Sequence, residues 1–260
     1  MKPGWNPVRR SRTIGTERQG RGADNRMVIP ESWHAVKPYW ESLGSYVKTT
    51  RAVGGKPIIF FVEHTQPGWF HPCTLDDICM VLKHIPSADL KTFDLIILRQ
   101  PKRKQRILCP VWGRAIFYAE VDKVAGPAII LEAQNLAPIK WTCSLTPERV
   151  RELDRLRNDG HSVEVTKRSV LIVPTVSSLR NTLLYRTLLH ELGHHVDYRS
   201  RHERWDELTK LVKEDFAHRY ASDKFSSLAN AGIIPFEPVF DGDRAVRAGI
   251  ERHWFLPDAS

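Results

Sequence analysis

The alternation of apolar and polar positions predicts short strands across the first two thirds of the chain. Continuous apolar runs such as 57–62 and 93–98 are typical of strands buried on both faces. The run at 163–173 is broken by three polar residues and predicts a strand or a hairpin, while the basic stretch 101–106 is interpreted as a hairpin-like loop. The complete set of predicted strands is 57–62, 93–98, 107–109, 114–121, 127–132 and 163–173.

Helical spacing and capping residues predict helices between and after these strands. Thr74, followed by two aspartates, opens a helix that runs to about residue 83, and Thr146-Pro147 opens another that ends near residue 157. The helix predicted for 178–198 carries an apolar stripe with one member at every fourth position, namely Leu184, Leu188, Leu192 and Val196. The other predicted helices are 30–46, 202–221, 226–231 and 243–254.

This order of elements favours an α+β fold, because strict alternation of strands and helices is absent. We predict a disordered basic arm at residues 1–26 and one α+β domain at 27–260, of which 27–175 are sheet-rich and 176–260 are helical. A chain with 42% hydrophobic and 27% charged residues is typical of globular proteins. The sequence shows neither a transmembrane stretch nor a secretory signal, and its four cysteines lack any CxxC pairing. We therefore expect a cytoplasmic location, with export by a non-classical route as the alternative, and no membrane partner.

The strongest chemical pattern is His190-Glu191-Leu192-Gly193-His194, which lies inside the predicted helix 178–198. Two histidines four residues apart share one helix face and can present their nitrogens to one Zn²⁺. Glu191 is poorly placed to be a ligand of the same ion, and its expected role is that of a general base for a metal-bound water. Gly193 costs about 1 kcal/mol relative to alanine inside a helix, which suggests that space is needed there.

The third metal ligand is expected on the following helix, where three candidates lie close together. Glu214 is 20 residues beyond His194, since 214 − 194 = 20, and it shares a helix face with His218. Asp215 is a further competitor, although it is turned about 100° away on the helix. From spacing alone, each of Glu214, Asp215 and His218 stays possible.

The two motifs HELGHHVDY, at 190–198, and EDFAHRY, at 214–220, resemble those of the gluzincin metallopeptidases of the zincin superfamily. They look most like the lethal-factor-like group, with its H-E-x-G-H-x-V-D and E-x-F-A-E-x-F patterns. The resemblance covers about 40 residues and implies that Glu214 is the third ligand of one Zn²⁺ per chain. His218 stands where that pattern has an acidic residue, so its role as a supporting group or as an alternative ligand stays open.

The resemblance also implies a zincin-like twisted sheet packed with helices. The edge strand of such a sheet lies above the active-site helix and pairs with an extended peptide by main-chain hydrogen bonds. Both 115–121 and 163–173 are candidates for this edge. The implied activity is hydrolysis of peptide bonds in a peptide or protein substrate.

Several neighbouring side chains are candidates for supporting roles. Asp197 lies three residues after His194 on the ligand face, where it either orients that histidine or is a solvated carboxylate. His195 points away from this face and is interpreted as structural or solvated. A donor for the oxyanion of the reaction is sought among Tyr220, His218 and Tyr198.

The net charge of +9 is concentrated in two places. Residues 1–26 hold seven basic and two acidic residues, a balance of +5, and 101–106 hold four basic residues. Basic segments of this kind permit a weak contact with nucleic acid or another polyanion through the arm. The alternatives to a peptidase are therefore a zincin-fold binding module without hydrolysis and a DNA-associated, SprT-like protease.

Overall fold

The computed structural model describes residues 38–108 and 110–256. The predicted arm at 1–26 and the first part of the helix predicted for 30–46 lie outside these residues. The chain from Tyr39 onward forms one compact unit in which helices and strands are mixed. No helix within the described ranges has the length and apolar character needed to cross a bilayer.

A mixed, twisted five-stranded sheet forms the centre of the unit. Its strands are β1 (Tyr46–Val53), β2 (Lys56–Glu63), β3 (Leu95–Arg99), β4 (Gly113–Val121) and β5 (Val124–Glu132). They lie in the order β1-β2-β3-β5-β4. The three central strands are parallel to one another, and the two outer strands are antiparallel to their neighbours. The predicted strands at 57–62, 93–98, 114–121 and 127–132 are confirmed.

Strand β1 is a correction to the sequence prediction, which extended a helix to residue 46. Of the predicted helix, the described residues contain only a 3₁₀ turn at Tyr39–Glu41. Gly54 and Gly55, with φ values of +56° and +81°, form the two-residue turn that brings β1 against β2. Glycine adopts such positive φ values at little cost, so this turn commits the preceding residues to a hairpin.

A smaller three-stranded sheet lies outside the main one. It consists of β6 (Ile139–Thr142), β7 (Ser162–Val165) and β8 (Ser169–Val173), with β8 in the middle. The run at 163–173 is thus a hairpin, as one of the two predicted alternatives had it, whereas β6 was not predicted. Leu153 and Leu156, from the preceding helix, pack on this sheet to form a separate small core.

Eight α-helices complete the described structure. They are α1 (Leu75–Leu82), α2 (Ser87–Leu90), α3 (Arg103–Leu108), α4 (Pro147–Asn158), α5 (Val176–Arg180), α6 (Leu188–Ser200), α7 (Lys210–Asn230) and α8 (Gly242–Arg247). The hydroxyl oxygens of Thr74 and Thr146 accept hydrogen bonds from the main-chain N–H groups of Asp77 and Arg149, so both predicted N-caps are confirmed.

Two helix predictions and one prediction of a loop and a strand need correction. The segment predicted as one helix at 202–221 is a 3₁₀ helix at His202–Glu207, followed by α7, which begins after the N-cap Thr209 and runs on through 226–230. The basic stretch at 101–106 is not a hairpin loop, because α3 forms there and includes Ile107 and Leu108 of the strand predicted at 107–109. The terminal helix predicted at 243–254 is two short pieces, α8 and a 3₁₀ turn at Arg252–Trp254.

The helix predicted at 178–198 is continuous from 176 to 200, but its middle is π-helical. Helix α5 passes into a π-helical stretch at Asn181–Thr187, which passes into α6. Leu184, Leu188 and Leu192 are fully buried against one face of the main sheet, and Val196 is partly buried beside them. The apolar stripe therefore fixes which face of α6 is directed away from the core.

Candidate metal centre

The two histidines of the H-E-x-x-H pattern lie side by side on α6. Their Nε2 atoms are 3.2 Å apart, and their ring planes are nearly perpendicular, at 85°. Each side chain is only slightly exposed, at 14% for His190 and 13% for His194. The spacing of four residues has the effect predicted from the sequence, since both nitrogens face one point.

Helix α7 brings Glu214 and His218 against these histidines. A Cβ atom at Gly193 would lie 3.0 Å from Cα of Ala217 and 3.2 Å from Cβ of Tyr220, so the absence of a side chain lets α7 approach. Carboxylate oxygen Oε2 of Glu214 lies 3.4 Å from Nε2 of His190 and 3.8 Å from Nε2 of His194. The space suggested by Gly193 in the sequence is thus used for the contact between the two helices.

The donor atoms of His190, His194 and Glu214 fit a zinc ion. Ligand atoms about 2.0–2.1 Å from a tetrahedral Zn²⁺ are about 3.3–3.4 Å from one another, and the three distances here are 3.2, 3.4 and 3.8 Å. His218 belongs to the same cluster, since one ligand atom each of His190, Glu214 and His218 lie within 4.8 Å of one another, so these three side chains are an alternative ligand set. Two nitrogens and one carboxylate oxygen are also the chemistry that zinc prefers.

Glu191 is buried beside this cluster, against the start of β4. Burial raises the pKa of its carboxyl group to about 7, and the charge of Glu214 acts in the same direction, whereas His190 opposes it. The main-chain N–H of Ala115 donates a hydrogen bond to the Glu191 carboxylate. A carboxyl group with a pKa near neutrality, held by a strand, is suited to exchange protons.

The other titratable groups of the cluster are shifted in opposite directions. The hydrogen bond with His190 lowers the pKa of Glu214 to about 2. Burial lowers the pKa of His194 to about 4, and burial together with the charge of His190 lowers that of His218 to about 3. At neutral pH Glu214 is therefore an ionised carboxylate, and His194 and His218 are neutral imidazoles, the forms in which these side chains bind metals.

The structure does not bring Asp197 to the histidine that it was suggested to orient. Its buried carboxylate accepts a hydrogen bond of 2.5 Å from Nε of Arg201. Asp215 is exposed and pairs with Arg219 at 3.2 Å. Among the three candidates for the third ligand, Asp215 is thus the one that the fold keeps away from the centre.

Two of the suggested oxyanion donors make other contacts. The hydroxyl of Tyr220 donates to Asp89 on α2 at 2.7 Å, and burial raises its pKa. The ring of Tyr198 stacks on Phe117 at 4.2 Å. The Tyr220 hydroxyl is thus occupied on the side of α2, whereas the ring contact does not occupy the Tyr198 hydroxyl, so Tyr198 and His218 stay candidates. Helical spacing placed Tyr220 on α7 but did not show which side of that helix meets α2.

His195 has the structural role that was one of its two interpretations. It is 1% exposed, and its Nε2 lies 3.0 Å from the main-chain oxygen of Ala128 in β5. Burial lowers its pKa to about 4, so the imidazole is neutral at pH 7. This histidine ties α6 to the sheet on the side opposite the metal candidates.

Sequence reasoning named 115–121 as a possible edge strand but missed the role of Gly113 at the start of β4. A Cβ at Gly113 would lie 2.6 Å from Cγ2 of Thr187, 2.8 Å from the main-chain oxygen of Ile130 and 3.1 Å from Cγ of Glu191. Gly113 thus permits the strand to lie against the helix. Only tertiary packing shows this, because a glycine before a strand has no local signature of such a contact.

Comparison of the chain with protein-family models, with curated proteins and with solved structures found no match.

Proposed function

We propose that the protein is a zinc-dependent hydrolase, and that it cleaves peptide bonds. The observation that carries this proposal is the convergence of His190, His194 and Glu214 at ligand spacing, with the carboxylate of Glu191 buried beside them. A zinc ion held by these three side chains would supply Lewis acidity, which lowers the pKa of a bound water and polarises a carbonyl group.

The chain's own residues perform the proton transfers and the positioning. The Glu191 carboxylate accepts a proton from the attacking water and later donates it to the leaving amine. The N–H of Ala115 holds this carboxylate in place, and the pKa near 7 suits a group that must first accept and then release a proton. His218, one helical turn after Glu214, is a candidate to donate a hydrogen bond to the developing oxyanion, and the hydroxyl of Tyr198 is another.

The position of β4 supports a peptide as substrate. This strand is at the edge of the five-stranded sheet and pairs only with β5 among the described strands. Its residues 113–115 contact Glu191 and the helix before it, so an extended chain added to the free edge would pass the candidate centre. Of the two predicted edges, 115–121 has this position, whereas 163–173 belongs to the smaller sheet. This arrangement agrees with the zincin-like fold that the motifs imply.

A matched pair of measurements tests the proposal. Purified protein and its Glu191→Gln variant are assayed for zinc content and for cleavage of a fluorescent casein substrate. We expect equal zinc in both proteins and a loss of activity of about 10²–10⁴-fold in the variant, because the general base is removed while the ligands stay. Zinc in both proteins without any cleavage by either would indicate a binding module instead.

A further inference from the structure

A cavity of about 270 Å³ lies where the parallel strands β3 and β5 end. Its walls come from the segments that follow these strands, from the residues just before β4, and from α5 at the start of the helix that leads to His190. Val111, Ile139, Leu179 and Trp69 form an apolar lining, and Glu132 and Arg106 are its charged members. The carboxyl ends of parallel strands are a common location for ligand pockets.

The cavity lies just before the edge strand that passes the candidate centre. Ala115 of β4 binds the carboxylate of Glu191, and Val111 of the cavity wall precedes it by four residues. Four residues span at most about 14 Å, so the two positions are no further apart than that. A peptide that pairs with β4 and continues past Gly113 would therefore come close to the cavity wall.

Arg106 is the basic residue of the cavity wall and belongs to a basic stretch of the chain. The guanidinium of Arg106 lies 4.8 Å from the ring centroid of Trp69, and its Nε is buried without a hydrogen-bond partner. Residues 102–106 contain Lys102, Arg103, Lys104 and Arg106 and no acidic residue.

The acidic member of the wall is already engaged. Glu132 accepts hydrogen bonds from the Tyr39 hydroxyl at 3.2 and 3.3 Å and lies 3.5 Å from Nε of Arg114. Glu132 is therefore paired within the fold, and Arg106 is the charged residue of the wall that is left to bind a ligand.

We propose that this cavity is a specificity site that receives a large apolar side chain of the substrate, with acidic residues next to it held by Arg106. The volume is sufficient for one large side chain, and the charge of Arg106 complements carboxylates. This inference rests on the proposed peptidase function, since it takes a peptide on β4 as the occupant.

Binding to the Glu191→Gln protein tests the cavity without hydrolysis. Three fluorescein-labelled peptides share a Gly-Ser background and carry Trp-Glu-Glu, Trp-Lys-Lys or Ala-Glu-Glu at the centre, and fluorescence anisotropy gives their dissociation constants. We expect the Trp-Glu-Glu peptide to bind about 10-fold tighter than either of the others. Arg106→Gln should remove the preference over Trp-Lys-Lys, and Ile139→Trp, which fills the cavity, should remove the preference over Ala-Glu-Glu. The exposed neighbour variant Lys140→Gln should leave both preferences unchanged.

The outcomes separate this proposal from the function on which it rests. Equal affinity for the three peptides, or preferences that neither cavity variant changes, would overturn the specificity site even if the wild-type protein cleaves peptides. Stronger binding of an oligothymidylate than of the Trp-Glu-Glu peptide would also overturn it, because the basic stretch that includes Arg106 would then serve nucleic acid. The expected preferences without cleavage by the wild-type protein would support the cavity and contradict the peptidase.

Discussion

Two polar clusters on the helical segment 176–200 differ in how their charges are satisfied. Near its start, Arg180 binds the carboxylate of Asp77 through Nη2 at 2.9 Å and Nε at 3.3 Å. The same carboxylate accepts the main-chain N–H groups of Val239 at 2.9 Å and Thr74 at 3.0 Å. Both oxygens of this buried acid thus have two partners each, and the cluster connects α1, α5 and the C-terminal region.

The cluster ten residues further along contains groups that perturb one another. His190 and His194 face Glu214, the pKa of Glu191 is raised while that of Glu214 is lowered, and Nδ1 of His190 is buried without a hydrogen-bond partner. Such incomplete satisfaction is typical of functional sites, whereas fully bonded polar clusters stabilise a fold. The difference predicts that substitutions near Asp77 reduce stability and that those near His190 reduce ligand binding.

The largest expected effect is on stability, at the satisfied cluster. Asp77→Ala leaves the Arg180 guanidinium buried without its carboxylate, and breaking a buried pair in this way costs about 3–5 kcal/mol. Urea denaturation of the metal-free protein measures this loss. The neighbouring variant Asp76→Ala is the matched control and should cost less than about 1 kcal/mol. Equal losses of unfolding free energy in both variants would mean that the buried pair stabilises the protein no more than the Asp76 carboxylate does.

A second stability effect depends on pH and concerns His71. This buried residue bonds the main-chain oxygen of Glu63 at 2.8 Å, and burial lowers its pKa from 6.5 to about 4. As the pH falls, the unfolded chain therefore takes up a proton at this histidine before the folded chain does. The contribution of the neutral His71 to the free energy of unfolding is complete above pH 6.5 and is lost between pH 6.5 and 4. This loss is on the order of 3 kcal/mol.

Replacement of His71 should reduce this acid sensitivity. The slope of the unfolding free energy against pH reports how many more protons the unfolded chain binds than the folded chain. Between pH 6.5 and 4, this number should be smaller by about one in His71→Gln than in the wild-type protein. An identical slope in His71→Gln and the wild-type protein would show that this histidine is not the group that takes up the proton.

The sequence predicted the parts of the molecule that depend on local spacing. The N-caps Thr74 and Thr146, the stripe that begins at Leu184, and the face shared by His190 and His194 follow from helix geometry alone. Strand β1 was missed because its pairing depends on a turn and a partner strand rather than on its own polar sequence.

Contacts between distant segments had no signal in a single sequence. The approach of β4 to Glu191 through Gly113, the engagement of Tyr220 by Asp89, and the cavity between β5 and α5 are all of this kind. Each joins residues that are more than 40 positions apart. Tertiary packing therefore decided which of the suggested supporting residues face the candidate centre.

Within the perturbed cluster, three variants of α7 should weaken zinc binding to different extents. Glu214→Ala removes a ligand and should raise the zinc dissociation constant by more than about 100-fold, whereas loss of the neighbour His218 should cost about 10–100-fold. Asp215→Ala is the control, because this exposed side chain pairs with Arg219. Competition with a zinc-binding dye gives the three constants. A larger loss from His218→Ala than from Glu214→Ala would indicate a site with three histidines.

The smallest expected effect concerns the contact between the two helices of the centre. Gly193→Ala places a Cβ 3.0 Å from Cα of Ala217, so α7 must shift by a few tenths of an ångström. Overpacking costs about 1–3 kcal/mol, and the higher helix propensity of alanine offsets about 1 kcal/mol of this. We expect a net loss of about 1 kcal/mol in stability and weaker zinc binding. Unchanged zinc affinity would show that the spacing of the helices is not critical for the centre.

The central claim is that His190, His194 and Glu214 hold one zinc ion. Elemental analysis of the purified wild-type protein beside His190→Ala, His194→Ala and Glu214→Ala, with circular dichroism to verify folding, tests it directly. We predict one zinc per chain in the wild-type protein and less than a tenth of that amount in each folded variant. Stoichiometric zinc in both folded histidine variants, or no zinc in a wild-type protein supplied with it, would contradict the account.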